Sequence, residues 1–297
     1  MCYLVKWCQS NGQPSFAMKC RKCYECTQEK AREWGLRNMM EQDDINIGCF
    51  ITLTYSEENN PVVLLKKDLQ DFKHRLRKHL KRKCGIPQIR TYDCGEYGSK
   101  NYRPHFHMLI HGFNFPDKYL NGKSDRGHNI YNCDMLEKIW GRGLVTIQDM
   151  TISAAAYCAR YAAVPTKFLP EELQGHPEFN TMSKSLGMEQ ILKNMDTYLL
   201  TDEIFYDGKK YRIPETALNK HFADVKEMDK QRRGGLLPST FTTPKEQQYL
   251  ALKENRRTRG ETAWQARSAQ LNDDMVESYN QARYRKENAI KRLQKKL

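Results

Sequence analysis

The 297-residue chain has no long hydrophobic run. Nothing in it approaches the roughly 20 consecutive apolar residues that span a bilayer, so a membrane partner is not expected. Its first twenty residues scatter Lys6, Gln9, Asn11, Gln13 and Lys19 where a signal peptide needs an apolar stretch. Secretion is therefore not expected, and the ten cysteines read as reduced thiols or metal ligands in place of disulfides. Internal repeats are missing, and seventeen glycines are too few for a collagen-like period. Negative charge is also short. Forty-nine Lys and Arg face thirty-six Asp and Glu, and the net charge of +13 points to a polyanionic partner. What is present is a polar globular composition. Hydrophobic residues make up 39%, and sixteen Tyr and eleven Phe make the chain too aromatic for disorder. The length is sufficient to bury a real core.

The basic residues are clustered. Lys66 to Lys83 holds nine of them against Asp68 and Asp71, and Lys245 to the end holds thirteen against seven acidic ones. Most such runs are simply solvated faces. In the first run, Leu65, Leu69, Phe72, Leu76 and Leu80 recur at helical spacing, which predicts an amphipathic helix ended by Cys84-Gly85-Ile86-Pro87. Gly48 to Tyr55, Gln88 to Tyr97 and Tyr102 to His111 read as strands, the last two joined by a turn at Gly98-Ser99-Lys100-Asn101. After a glycine-rich loop come a short helix over Asp134 to Trp140, a strand over Leu144 to Gln148, and a helix capped by Thr151 or Ser153 that runs to about Ala163. This order predicts an α+β fold: an antiparallel sheet with helices on one face, in a split βαβ arrangement. Further on, a hairpin turns at Asp207-Gly208, Leu218 to Arg233 is helical, Gly234-Gly235 and Pro238 form a linker, and a helical tail from Pro244 is broken at Gly260. The expected segments are 1–45, basic with cysteines; 46–170, the core; 171–237, an accessory region; and 238–297, a basic, mainly helical tail.

Three groups of residues suggest chemistry. His105 and His107 alternate with Phe106 along one strand, so both imidazoles share a face about 6.6 Å apart along the chain. A lone His-x-His pair is usually incidental. The antiparallel partner strand brings Glu96 opposite it, and two imidazoles with one carboxylate leave positions open on a cation. His111 shares the face but lies roughly 20 Å along it, too far to join, and is read as structural. Tyr157 and Tyr161, four apart on the predicted helix, present both hydroxyls on one side. Such a pair is more often packing. Here the neighbours are alanines (Ala154, Ala155, Ala156, Ala159, Ala162, Ala163), which are expected to leave room for a substrate backbone, and Arg160 adds a cation. A tyrosine hydroxyl with a pKa near 10 is a poor nucleophile unless a cation stabilises charge at the phosphate it attacks.

The motifs Phe50-Ile51-Thr52-Leu53-Thr54-Tyr55, Cys94-Gly95-Glu96-Tyr97-Gly98, Arg103-Pro104-His105-Phe106-His107 and Tyr157-Cys158-Ala159-Arg160-Tyr161 occur in this order. Together they resemble the replication initiators of microviruses, of the gokushovirus type, within the His-hydrophobic-His (HUH) endonucleases. The resemblance covers roughly Cys20 to Lys167, and more loosely Thr181 to Pro214. It implies an RRM-like nuclease core that nicks single-stranded DNA at a phage origin and starts rolling-circle replication. It implies His105, His107 and Glu96 as ligands of Mn²⁺ or Mg²⁺, and Tyr157 and Tyr161 as alternating nucleophiles forming 5′-phosphotyrosine bonds. The implied partners are origin DNA and the host helicase and polymerase, in the cytoplasm of an infected bacterium. Related initiators often carry lysine three residues after the second tyrosine. This chain has Val164 there, and Lys167 is the nearest substitute.

Cys20, Cys23 and Cys26, with Cys8 as fourth, could hold Zn²⁺; the alternative is thiols at the start of a basic helix bearing Lys30, Arg32 and Arg37. Cys49, Cys84, Cys94, Cys133 and Cys158 read as small core residues. DNA contacts are expected from Arg103, Arg160, Lys167, Lys73, Arg77 and Lys81, with base stacking on Tyr92, Tyr97 or Tyr102. Other readings remain: a plasmid initiator or relaxase with the same chemistry, a nuclease using activated water, and a non-catalytic zinc-containing nucleic-acid binder.

Overall fold

A computed structural model describes residues 6–8, 16–18, 24–98, 101–124, 127–161, 169–234, 236 and 243–268. Among them, no helix is long and apolar enough to cross a membrane. The chain divides into two compact units between Glu189 and Gln190.

The first unit opens with a small ladder of β1 (Lys6–Cys8) and β2 (Phe16–Met18), followed by helix α1 (Tyr24–Ile45). Its main body is a seven-stranded sheet of β3 (Gly48–Thr54), β4 (Arg90–Tyr97), β5 (Pro104–His111), β6 (Tyr119–Lys123), β7 (Asn129–Asn132), β8 (Val145–Gln148) and β9 (Phe179–Met182). The strand order is β6-β7-β8-β3-β5-β4-β9, and every pairing is antiparallel. The α+β class and the antiparallel sheet are as the sequence predicts.

Alternation along the central strands sorts two faces. Cys49, Ile51, Leu53, Phe106, Met108 and Ile110 point to one side, where α2 (Lys66–Lys83) buries Leu69, Phe72, Leu76 and Leu80 upon them. Helix α3 (Asp134–Trp140) closes this layer, with the Trp140 ring edge-on to Phe72 and Phe106. These are the helices expected on one face. The opposite face carries a further pair, α1 and α4 (Ile152–Tyr161), which pack together over Phe50, Tyr92, Cys94 and Leu109. The alanines of α4 make that packing possible. Ala155 and Ala159 are fully buried, and Ala156 lies against Gly35 of α1. Their small size serves helix-to-helix and helix-to-sheet contact, which corrects the expectation that it clears space for a substrate backbone.

The glycine-rich stretch after Gly112 contains the β6–β7 hairpin, whose strands are short and largely exposed and so carry little apolar periodicity. β9 joins the sheet from beyond residue 170, past the expected end of the core.

The second unit contains α6 (Met195–Thr201), the hairpin of β10 (Glu203–Tyr206) and β11 (Lys209–Arg212), α7 (Glu215–His221), α8 (Ala223–Arg233) and α9 (Pro244–Ser268); α5 (Met188–Lys193) leads into it. The hairpin turns at Asp207-Gly208 as predicted. The helix expected from Leu218 divides at Phe222, and α9 runs through Gly260 without a break. A single glycine costs only about 1 kcal/mol in a helix and does not force an end. The tail beyond Ser268 lies outside the described residues.

Candidate active site

The register of β3, β4 and β5 assembles a cluster on the α1/α4 face. Glu96 stands opposite His105, Cys94 opposite His107, and Thr52 opposite His107 on the other flank. One carboxylate oxygen, Glu96 Oε1, lies 2.6 Å from His105 Nε2 and 2.9 Å from His107 Nε2. The Tyr157 hydroxyl donates to the same oxygen at 3.0 Å. Helix α4 therefore lays its tyrosine directly over the histidine pair, and the Tyr157 ring meets His107 edge-on at 5.3 Å.

The far nitrogens of both rings are also held. His105 Nδ1 lies 3.1 Å from the Arg103 carbonyl, which can only accept, so this nitrogen carries the proton and Nε2 presents its lone pair when the ring is neutral. His107 Nδ1 lies 2.9 Å from Thr52 Oγ1, and Phe50 stacks on the ring. Orienting contacts of this kind are the usual outer support of metal-binding histidines.

Burial and mutual contact set the charges. Burial alone would raise the Glu96 carboxyl, but hydrogen bonds and charge from His105 and His107 outweigh it and hold it at about 2. For His105, burial pulls the pKa down and Glu96 more than restores it, leaving it raised. His107 is more deeply enclosed, burial prevails, and its pKa is lowered.

Glu96, His105 and His107 place one donor atom each within 4.8 Å of one another, the grouping of a metal site. The second Glu96 oxygen, Oε2, is buried without a partner, although the side chain is only 3% exposed. A buried carboxylate oxygen left bare costs free energy that a cation would recover. Two imidazole nitrogens and a carboxylate suit a divalent first-row ion. The residues present fit such a group.

The other expected residues are distributed as follows. Tyr161 ends α4, one helical turn beyond Tyr157; its side chain and that of Arg160 are outside the described residues, as is Lys167. Arg103 donates to the Tyr55 carbonyl at 2.8 Å and pairs with Glu57, bracing the loop after β3. Lys73, Arg77 and Lys81 lie on α2, across the sheet from the cluster. Lys73 is turned inward, 2.6 Å from the buried Asp93 and 3.1 Å from Thr181, whereas Arg77 and Lys81 are exposed. Tyr92 and Tyr97 are buried in the two faces of the sheet, which corrects their reading as stacking platforms. His111 is buried and bonded to Asn38, a structural role as expected. Cys20 and Cys23 are outside the described residues, Cys8 ends β1, and Cys26 is buried in α1. Cys49, Cys94, Cys133 and Cys158 are buried as expected, but Cys84 is exposed, because α2 stops one residue before it and the apolar stripe ends at Leu80.

Sequence reasoning missed three supporting side chains. Thr52 was visible only as one more β-branched strand residue. Asn180 of β9 donates to the Tyr92 hydroxyl at 2.6 Å and to the Cys158 carbonyl at 3.0 Å, which ties α4 to the sheet. Glu178 accepts from the Tyr97 amide at 3.0 Å, and burial raises its carboxyl to about 7. No periodicity announces a four-residue edge strand, so neither residue of that segment could be placed beforehand.

Residues 48–165 match the model of a family of viral replication proteins, described as Replication-associated protein ORF2. The chain is 28% identical over 214 residues to the replication-associated protein ORF2 of Spiroplasma virus 4, covering 67% of this chain and 66% of that one. It is 32% identical over 188 residues to the replication-associated protein VP4 of Bdellovibrio phage phiMH2K, covering 60% and 59%. To the replication-associated protein ORF4 of Chlamydia phage 1 it is 28% identical over 225 residues, covering 72% and 54%. The chain thus spans just under two thirds of the first relative's length and less of the other two. No solved structure matches. The family match encloses Glu96, His105, His107, Tyr157 and Tyr161.

Proposed function

Since residues 48–165 belong to the replication-associated protein ORF2 family, we propose that the chain initiates rolling-circle replication of a single-stranded DNA phage by nicking and rejoining DNA at the origin. The observation that carries this reading is the shared oxygen: the Tyr157 hydroxyl sits 3.0 Å from the same Glu96 oxygen that both imidazoles contact. A tyrosine that merely packed would not need its hydroxyl at the centre of a metal-type cluster.

A Mn²⁺ or Mg²⁺ ion held by Glu96, His105 and His107 would supply charge stabilisation to a phosphate oxygen. The chain's own groups do the rest. Glu96, held at about 2, is too weak a base to keep a tyrosine proton, so its contact orients the hydroxyl. Tyr157 Oη forms a bond to phosphorus, the bond from phosphorus to the 3′-oxygen breaks, and that oxygen leaves as a hydroxyl after taking up a proton. The 5′-phosphate stays on the tyrosine, and its bond energy is kept for religation. Tyr161, about 6 Å further along the helix axis, is the second nucleophile that cuts the regenerated origin. The free 3′-hydroxyl primes a host polymerase, and a host helicase opens the duplex, in the cytoplasm of an infected bacterium. A plasmid initiator or relaxase would share this chemistry; the named relatives, all phage or virus proteins, favour the phage setting.

The test is a denaturing gel of the protein with single-stranded origin DNA and Mn²⁺, beside Tyr157→Phe, Tyr161→Phe and the double substitution. A slowly migrating adduct that survives denaturation and vanishes in the double variant is the expected result. Cleavage without an adduct would point to a water-using nuclease, and binding without cleavage to a non-catalytic nucleic-acid binder.

A further inference from the structure

The β4–β9 register runs Tyr92 to Met182, Asp93 to Thr181, Cys94 to Asn180 and Gly95 to Phe179. The next step places Glu178 opposite Glu96, which in turn stands opposite His105. Residues paired across an antiparallel ladder present their side chains on one face. Glu178, Glu96 and His105 thus form a row across three strands, and Glu178 interacts electrostatically with both of the others. One Glu178 oxygen is committed to the Tyr97 amide at 3.0 Å. Its other oxygen, Oε2, is buried with no hydrogen-bond partner, as is Glu96 Oε2 beside it. Two bare carboxylate oxygens on neighbouring strands repel one another, and both are shut off from bulk water. Such an arrangement lacks a positive or proton-donating occupant.

We propose that Glu178 is an outer acidic residue of the cation site, which holds a water bound to the ion and biases the site toward hard divalent ions such as Mn²⁺ over Zn²⁺. It stands outside the compact trio of donors, so it acts from the next position out, as a positioning residue. An added anionic oxygen favours an ion that keeps waters and prefers oxygen ligands, and it gives less advantage to one satisfied by two imidazoles and a single carboxylate. This inference rests on the reading that Glu96, His105 and His107 bind a cation.

The experiment is isothermal titration of the metal-free full chain with Mn²⁺ and separately with Zn²⁺, for wild type, Glu178→Gln, Glu178→Asp and His107→Ala. Glutamine keeps an acceptor for the Tyr97 amide and removes only the charge, so the fold is preserved; thermal melting without metal checks this. The expected result is Mn²⁺ binding at least about tenfold weaker in Glu178→Gln, the loss typical of outer supporting residues, with partial recovery in Glu178→Asp and Zn²⁺ affinity changed much less. Equal Mn²⁺ affinity in wild type and Glu178→Gln, with His107→Ala abolished, would overturn the role of Glu178 alone. Equal losses for both ions would overturn the selectivity. Wild type that binds neither ion, or His107→Ala that binds as well as wild type, would overturn the underlying site as well.

Discussion

His105, His107 and His111 share one face of β5, yet their surroundings give them different proton chemistry. His105 is held up by Glu96, His107 is lowered by enclosure, and His111, fully buried against Asn38 with Nδ1 unpartnered, is pushed down to about 4. The consequence for His111 can be measured. An unfolded histidine takes up its proton near pH 6.5, whereas folded His111 resists until about 4. Between these values the unfolded state binds more protons, so stability is present above about 6.5 and is lost as the pH falls toward 4. From pH 7 to pH 5 the contribution is about 2 kcal/mol. Urea unfolding of wild type and His111→Gln at both pH values should show the wild type losing that much more than the variant. Equal losses would mean that His111 is already protonated in the fold. The sequence separates His111 from the other two by distance along the strand alone. It could not show Asn38 as its partner, because that contact comes from a helix 73 residues away.

At the scale of elements, what the sequence revealed followed from periodicity. The α2 stripe, the boundaries of α3 and the turn at Asp207-Gly208 stand where apolar spacing and turn residues put them. β6, β7 and β9 are short, and α1 covers a sheet face whose need for cover is apparent only once the strands are paired. The candidate site was legible to the same extent. Glu96, His105, His107 and Tyr157 lie on strands and a helix with clear signals, whereas Asn180 and Glu178 belong to a segment without one. The start of α4 is a case where the sequence offered two choices and the structure selects one. Thr151 Oγ1 accepts from the Ala154 amide at 3.1 Å, while Ser153 lies within the helix and is exposed. Thr151→Ala should therefore lower stability by about 1 kcal/mol, as loss of a helix cap does, and Ser153→Ala should change it by less than about 0.5 kcal/mol. Denaturant midpoints would decide this. A larger effect for serine would mean that the helix starts two residues later.

Across the first unit, charge and chemistry occupy opposite sides. The Glu96–His105–His107 cluster faces α4, while the exposed cations of α2, Arg77 and Lys81 among them, lie beyond the sheet. A short single strand seated on the cluster cannot also lie along α2, because the seven-stranded sheet stands between them. The basic helix is then suited to a longer or duplex segment that passes round the unit, and its contribution should appear as salt-dependent affinity. For the double substitution Arg77→Ala/Lys81→Ala, the slope of log affinity against log salt for duplex origin DNA should fall by about 0.9 for each lost phosphate contact. Adduct formation on a short single-stranded oligonucleotide at saturating concentration should stay within about twofold of wild type, since no side chain of the cluster has been touched. Fluorescence anisotropy across a salt series and the denaturing gel together separate the two effects. If the slope is unchanged, the α2 charges are a solvated face and the polyanion is held elsewhere; if adduct formation collapses instead, the substrate reaches α2 after all and the opposition of the two faces does not govern binding.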